Sequence, residues 1–323
     1  MQPFSTADLP FVSIVVCTLN RKKMLRECLT SIYAMTYPKT HFEVIVVDGG
    51  SYDGTLQIKE EFPQIRLAVE SRFGIAYARN KGAELAKGTI IAYTDDDCVV
   101  AKSWLLNLVN GFEHSTQIMG VGGPVFPSLS ELPKSILVHP ALGLFDEGQK
   151  PKYVSGIITS NSAFRRELFS TAHFDEGLGA TRRGQLLLCG EDVEFCNKIT
   201  DGRFKLFYEP NAKVYHKIRS DRVKVTYIVR HAVNNGVSVA RIIQKNKSSK
   251  IWMFRYSLVG LLKSLYSVVF DRSFSSCYQI IVYSSASFVS IAGIESGSLF
   301  VTKTLDALNR PSPATKTEPC LLY

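Results

Sequence analysis

The sequence predicts an α/β fold built on a parallel sheet that is covered by helices on both faces. Short runs rich in valine and isoleucine alternate with stretches of helical periodicity through roughly the first hundred residues. Strands that are apolar along their whole length are typical of parallel sheets buried on both sides. Ligands bind such sheets at the carboxyl ends of the strands, so the polar residues that follow each strand are candidates for a site.

Four strands with helices between them are predicted in this first part of the chain. The strands are residues 11–19, 42–48, 65–69 and 89–94, and the helices are residues 22–34, a stretch before the third strand, and residues 75–86. Polar groups follow three of these strands: residues 18–21, residues 48–51 and residues 95–97. Although they end different strands, these groups are expected to converge on one crevice.

The alternation loosens after about residue 100. The expected elements are a loop or irregular strand at residues 120–127, a strand running into a helix at 154–165, a helix at 190–199, and short strands at 204–208 and 212–216. Residues 219–310 are expected to form a basic, amphipathic helical region, and residues 311–323 a disordered tail.

The basic excess of the chain lies in one region. Residues 213–272 contain 13 Lys or Arg against two acids, whereas the whole chain has a net charge of +9. This pattern indicates an anionic partner, either a membrane surface or nucleic acid. The seven cysteines show no CxxC spacing and are expected to be reduced thiols of a cytosolic chain, and no signal peptide is expected at the N-terminus.

Three consecutive carboxylates, Asp95, Asp96 and Asp97, follow the fourth strand. Like charges this close repel, so they either point into water at a loop or meet a cation. Hard oxygen ligands suit Mg²⁺ or Mn²⁺, which bridge carboxylates to diphosphates. Since neither GxGxxG nor a P-loop follows the first strand, a nucleotide would have to be held by other means, and such a metal is one of them. Arg79 and Asn80 could add phosphate donors, although a surface role for Arg79 stays open.

Seven motifs in order, SIVVCTLNR, VIVVDGGSYDGT, GIAYARNKG, AYTDDDC, FDEGLG, GEDVEF and EPNAKVYH, resemble the inverting family 2 glycosyltransferases with the GT-A fold, of the membrane-associated bacterial type. The resemblance covers residues 11–216. It implies a Rossmann-like GT-A catalytic domain over residues 1–218, with a nucleotide-binding half at about 1–97 and an acceptor half at about 98–218. It also implies a nucleotide-diphospho-sugar donor and a divalent metal, Mg²⁺ or Mn²⁺, on a DXD motif.

The resemblance also assigns roles to individual residues. The donor side would comprise Thr18, Asn20, Asp48, Arg79, Asp95 and Asp96, with Asp48 on the nucleobase and Asp95 on the ribose. Asp97 would bind the metal with His216, the catalytic base would be Asp192 or, as second choice, Glu191, and Asn161 would contact the acceptor. For Asp48 a turn-forming role, for His216 a structural role and for the acid pair helix N-terminal stabilisation remain open alternatives.

The expected function is a metal-dependent, hexosyltransferase-like transfer from the nucleotide sugar to a hydroxyl of a saccharide or lipid-linked acceptor, in cell-surface polysaccharide or glycolipid synthesis. Residues 250–270 are expected to lie as an amphipathic helix on the inner face of the cell membrane, or else to pack as a helical subdomain. The alternatives are a sugar nucleotidyltransferase, which would need a glycine-rich basic loop after the first strand, or a non-enzymatic membrane or nucleic-acid binder. Of the anionic partners, membrane is favoured over nucleic acid.

Overall fold

A mixed eight-stranded sheet forms the centre of the fold, as a computed structural model describes it for residues 9–128, 142–179, 182–183, 186–187, 189–200, 204–245 and 280–285. The strands are β1 (Val12–Thr18), β2 (Phe42–Asp48), β3 (Arg66–Val69), β4 (Ile90–Asp95), β5 (Cys98–Val100), β6 (Ile118–Gly122), β7 (Val125–Pro127), β8 (Lys152–Val154), β9 (Asn161–Arg165), β10 (Arg182–Arg183), β11 (Leu186–Leu187), β12 (Lys205–Tyr208) and β13 (Val214–His216). The helices are α1 (Lys22–Tyr33), α2 (Ile58–Glu61), α3 (Ile75–Leu85), α4 (Trp104–Gly111), α5 (Glu191–Ile199) and α6 (Val225–Lys245).

The strand order β3-β2-β1-β4-β9-β6-β12-β8 gives the sheet a parallel half and a mixed half. Strands β1 to β4 all run parallel, and β9 is antiparallel to both β4 and β6. Thr18 pairs with Asp48, and Cys17 pairs with Asp95. The predicted convergence of the polar strand ends on one edge of the sheet is therefore confirmed.

Both faces of the parallel half are covered by helices, as predicted. Alternate residues of β1 point to opposite sides: Ile14 and Val16 join a core that α1 completes, and Val15 joins a second core under α3. On α1 the buried residues recur at helical spacing: Leu25, Cys28, Leu29 and Ile32. This spacing places one apolar stripe on the sheet and leaves the opposite face to solvent.

Two predicted elements differ from the structure. Residues 154–165 do not run into a helix; they contain the end of β8 and the strand β9, followed by a short 3₁₀ segment at Arg166–Ser170. Strand β9 inserts between β4 and β6, so its backbone is hydrogen-bonded on both edges, and this tertiary pairing overrides local preference. The helix expected before β3 is only a 3₁₀ turn and the four-residue α2.

The glycine-rich residues 120–127 form two strands, β6 and β7, rather than a loop. A Cβ at Gly120 would come within 2.9 Å of the Phe164 ring, which explains why small residues occupy a central strand here. Strand β7 belongs to a second, three-stranded sheet of order β5-β13-β7.

The expectations for the C-terminal region lie mostly outside the described residues, including the helix at 250–270 and the tail at 311–323. Within the described part, helix α6 and residues 280–285 are helical. No helix of the described residues has both the length and the hydropathy needed to cross a membrane. Five cysteines in the described part are free thiols, of which Cys28, Cys98 and Cys196 are buried.

The close contact of α3 with β1 gives a test of the packing. A Cβ at Gly82 would overlap the side chain of Val15, a stiff β-branched residue in the buried strand. Gly82→Ala should lower the free energy of unfolding by about 1–2 kcal/mol, because overpacking outweighs the helix propensity gained. Urea denaturation followed by circular dichroism measures this. Gly156→Ala, where a Cβ meets nothing within 4 Å, is the control. Equal stability of both variants would contradict the packing.

Candidate active site

Two connected cavities lie at the carboxyl ends of the parallel strands. The strand-end cavity, of about 350 Å³, is lined by residues that follow β1 to β4. The helix-side cavity, of about 460 Å³, extends from there to α5 and α6. Both cavities share Arg21, Ile75, Asp95 and Arg222. The two cavities therefore meet at the end of β4.

The three carboxylates after β4 diverge into different surroundings. Asp95 is half-buried and lines both cavities, whereas Asp96 and Asp97 are each only 2% exposed. The Thr18 hydroxyl donates to Asp96 (2.7 Å), and Arg21 Nη1 donates to Asp96 at 2.8 Å and to Asp97 at 3.1 Å. Burial raises the pKa of Asp96 to about 6 although Arg21 opposes this change.

Asp97 and His216 are brought together by the pairing of β5 with β13. Cys98 lies opposite His216 in that register, and the Asp97 carboxylate is 3.3 Å from His216 Nε2. Arg222 contacts both partners, with Nη1 3.1 Å from His216 Nε2 and Nη2 3.5 Å from Asp97. Burial alone would raise the pKa of Asp97. The hydrogen bond to His216 and the charges of Arg21 and Arg222 outweigh this effect and hold the pKa of Asp97 below its usual value.

The Asp97–His216 pair fits a divalent cation. Ligands of an octahedral Mg²⁺ lie at about 2.1 Å from the ion and hence about 3 Å from each other, close to the observed separation. His216 Nδ1 is buried and has no hydrogen-bond partner in the described part of the chain. No cluster of three or more His, Cys, Asp or Glu that could hold a metal occurs among the described residues. The remaining ligands would therefore be water and substrate oxygens.

Asp48 and Asn20 organise loops rather than line either cavity. The buried Asp48 carboxylate accepts hydrogen bonds from the amides of Gly50 (2.9 Å) and Ser51 (2.8 Å), so it holds the turn after β2. Asn20 has a left-handed backbone (φ 54°), and its side-chain oxygen accepts from the amide of Tyr52 at 2.8 Å. The turn-forming alternative for Asp48 matches these contacts, and the nucleobase contact remains a proposal.

Arg79 links the two sides of the crevice through a buried ion pair. This α3 guanidinium is 4% exposed; it contacts Glu191 at the start of α5 through Nη1 and Asp95 through Nη2, at 3.5 Å. Arg79 is thus no surface arginine. The Glu191 carboxylate is therefore buried and engaged by a permanent cation.

Asp192, the neighbour of Glu191, is half-buried and lines the helix-side cavity. Burial and the nearby Glu191 charge raise its pKa to about 7, while Arg79 acts in the opposite direction. A carboxylate with a pKa near neutrality is suited to accept a proton from a bound hydroxyl. Of the two acids, Asp192 is therefore the better candidate for a base.

Asn161 does not face the acceptor side as expected. Its side chain is fully buried, accepts from Trp104 Nε1 (2.7 Å) and donates to the carbonyls of Pro124 (2.8 Å) and Ala212 (2.7 Å). All of these partners are structural, so Asn161 ties β9 to neighbouring segments. The adjacent Thr159 and Ser160 line the helix-side cavity instead.

Several cavity residues were not singled out from the sequence. Glu70 and Arg72 follow β3 and line the strand-end cavity, where their ion pair lowers the pKa of Glu70 to about 2. The strand-end rule that selected the other positions would have found Glu70. By contrast, Arg222 lies in a 3₁₀ segment at Ser220–Val223, beyond β13, and no local pattern predicts its contact with Asp97.

Known proteins resemble this chain in sequence. Residues 13–172 match the model of the Glycosyl transferase family 2. The chain is 27% identical over 307 residues to the glucosyl-dolichyl phosphate glucuronosyltransferase of Haloferax volcanii, covering 90% of this chain and 95% of that relative. It is 24% identical over 274 residues to a Methanococcus voltae enzyme named dolichyl N-acetyl-alpha-D-glucosaminyl phosphate 3-beta-D-2,3-diacetamido-2,3-dideoxy-beta-D-glucuronosyltransferase, covering 79% and 81%.

The fold is shared with a solved structure. The mannosyltransferase PcManGT from Pyrobaculum calidifontis, in complex with GDP-Man and Mn²⁺, superposes with a TM-score of 0.57 at 20% identity, covering 95% of this chain and 83% of that one. At this identity the likeness shows the GT-A fold.

The buried ion pair predicts a specific stability pattern. Arg79→Met should lower the free energy of unfolding by about 3–5 kcal/mol, because Glu191 is left buried without its cation. Adding Glu191→Leu should recover most of this loss, which urea denaturation can measure. Arg26→Met, in the exposed Arg26–Glu61 pair, should leave the urea midpoint almost unchanged. A double variant less stable than Arg79→Met alone would contradict the assignment.

Proposed function

The chain belongs to glycosyltransferase family 2 and has the GT-A fold, and on that basis we propose that it transfers a sugar, with inversion, from a nucleotide-diphospho-sugar to a hydroxyl of a lipid-linked saccharide. The observation that carries this proposal is the placement of two kinds of acid around one crevice. The carboxylates after β4 lie at the strand-end cavity, and Asp192 lies across the crevice in the helix-side cavity.

The strand-end cavity is the proposed donor site. Asp95, at its border, is placed to accept hydrogen bonds from a ribose, and the guanidiniums of Arg21 and Arg222 are placed to donate to diphosphate oxygens. A divalent cation, Mg²⁺ or Mn²⁺, held by Asp97 and His216 would neutralise charge that develops on the leaving diphosphate. The Mn²⁺ in the PcManGT complex supports this choice of cofactor.

Asp192 is the proposed general base. Inversion in one step needs a base on the face of the sugar opposite the leaving group, which takes the proton from the acceptor hydroxyl. In this scheme Glu191 does not react. Its ion pair with Arg79 fixes the start of α5, and its charge keeps the pKa of Asp192 raised.

A lipid-linked acceptor is supported by the relatives and by the charge of the chain. Both relatives named above carry dolichyl and phosphate in the names of their activities. The basic excess in residues 213–272 is suited to an anionic membrane surface. We therefore place the enzyme at the inner face of the membrane, associated peripherally through its C-terminal region.

Asp192→Asn tests the base. The change keeps the shape of the side chain but removes the basic oxygen, so kcat should fall by about 10²–10⁴-fold while donor affinity stays the same. Turnover assays and calorimetric titration of the nucleotide sugar measure the two effects. Glu194→Gln, on the same helix, is the control. Unchanged transfer by Asp192→Asn would overturn the assignment.

The pH dependence follows from the raised pKa of Asp192. Only its carboxylate form can accept a proton, so kcat/KM should rise as pH increases through about 7. Glu191→Gln removes a negative neighbour, which lowers the pKa of Asp192. The rise in kcat/KM should then move to lower pH, and a shift to higher pH would contradict this electrostatic explanation.

Asp97→Asn tests the metal site. In the wild type, Mn²⁺ should strengthen binding of the nucleotide sugar, and EDTA should remove this increment together with turnover. Asp97→Asn should bind the donor equally with and without Mn²⁺, since a charged ligand is lost. Glu84→Gln, an exposed acid outside both cavities, should behave as wild type. Full activity in excess EDTA would be incompatible with the proposed cofactor.

A further inference from the structure

The helix-side cavity is lined by more arginines than carboxylates. Five arginines and three carboxylates line it, and three of those arginines, Arg219, Arg222 and Arg230, come from the segment that includes α6. An uncharged saccharide hydroxyl alone gives no reason for this excess. The wall formed by this segment therefore points to an anionic group on the acceptor.

Four of the five arginines have carboxylate partners. Arg79 contacts Glu191 and Asp95, Arg21 contacts Asp96 and Asp97, Arg222 contacts Asp97, and Arg219 contacts Asp221. Arg230 is different: it forms no ion pair with any described residue and is exposed at the cavity wall. Its guanidinium is consequently available to a ligand.

The position of Arg230 is set by the packing of α6. Tyr227, Arg230, His231 and Asn234, which recur at helical spacing, line the cavity. Neighbouring Ile228 and Ala232 are buried in an apolar cluster with Val282, and the amide of Cys189, just before α5, donates to the hydroxyl of Ser238 on α6 at 2.9 Å. Arg230 therefore lies on a helix face that lines the same cavity as Asp192.

We propose that Arg230 binds the phosphate that joins the acceptor saccharide to its lipid. The inference rests on the proposed function and adds a recognition site to it. Asp192 would receive the reacting hydroxyl inside the cavity, while the exposed Arg230 holds the phosphate where the lipid leaves the protein. A guanidinium matches phosphate oxygens with two parallel hydrogen bonds. Beyond Arg230 the sequence adds the basic residues Lys245, Lys247 and Lys250, which suit an anionic membrane surface.

The test compares two soluble probes that differ only in the phosphate: hexyl glucosyl phosphate and hexyl glucoside. Their affinities for the full chain are measured by calorimetry, so that no transfer is needed. The wild type should bind the phosphate probe roughly tenfold more tightly, within the range of hydrogen bonds to charged groups. Arg230→Gln should abolish this preference, and Arg230→Lys should retain part of it. Arg166→Gln, an exposed arginine outside both cavities, should behave as wild type.

Two results would overturn the proposal: equal affinity of the wild type for both probes, or a preference that persists in Arg230→Gln. Flotation with phosphatidylglycerol vesicles separates acceptor from membrane phosphate. If Arg230→Gln weakens flotation but not probe binding, Arg230 contacts lipid headgroups and the proposal fails. Donor binding by the same variants should be unchanged. If the wild type binds no nucleotide sugar, the proposed function fails. The difference in affinity between the two probes would still report whether Arg230 binds phosphate.

Discussion

The burial of negative charge at the end of β4 is the constraint around which the site is organised. Asp96 and Asp97 are almost fully excluded from solvent, and each buried ion costs several kcal/mol unless it is compensated. The compensating groups, Arg21, His216 and Arg222, come from three separate segments of the chain. The loop after β1, the second sheet and the segment before α6 therefore all contact these two carboxylates.

The crevice has two sides, one at the end of β4 and one at the start of α5. Arg79 joins them, because its guanidinium contacts Asp95 at the end of β4 and Glu191 at the start of α5. Such a pair holds the start of α5 against the end of β4, which in the proposed reaction would set the distance between donor-side and acceptor-side groups. It also occupies the Glu191 carboxylate, so that Asp192, the other acid at the start of α5, is left as the proposed base.

The sequence predicted the parallel half of the sheet well, because apolar runs and helical spacing are local signals. Strand ends identified Thr18 and Asp95 to Asp97 as cavity residues, and the same rule extends to Glu70. The sequence did not predict β9 as a strand, because its conformation depends on pairing with two strands that are distant in the chain. Nor did it predict the role of Asn161, whose side-chain amide hydrogen-bonds to Trp104, Pro124 and Ala212. The contact of Arg222 with Asp97 likewise follows from no local pattern.

The placement of Asp192 across the crevice from the proposed diphosphate site implies a single displacement at the anomeric carbon. Proton nuclear magnetic resonance of the product, recorded early in the reaction with the nucleotide sugar that supports transfer, reports the configuration of the new bond. The proposed reaction, with Asp192 as the base, gives inversion relative to the donor. A product that retains the donor's configuration would show that Asp192 is not the base of a one-step reaction.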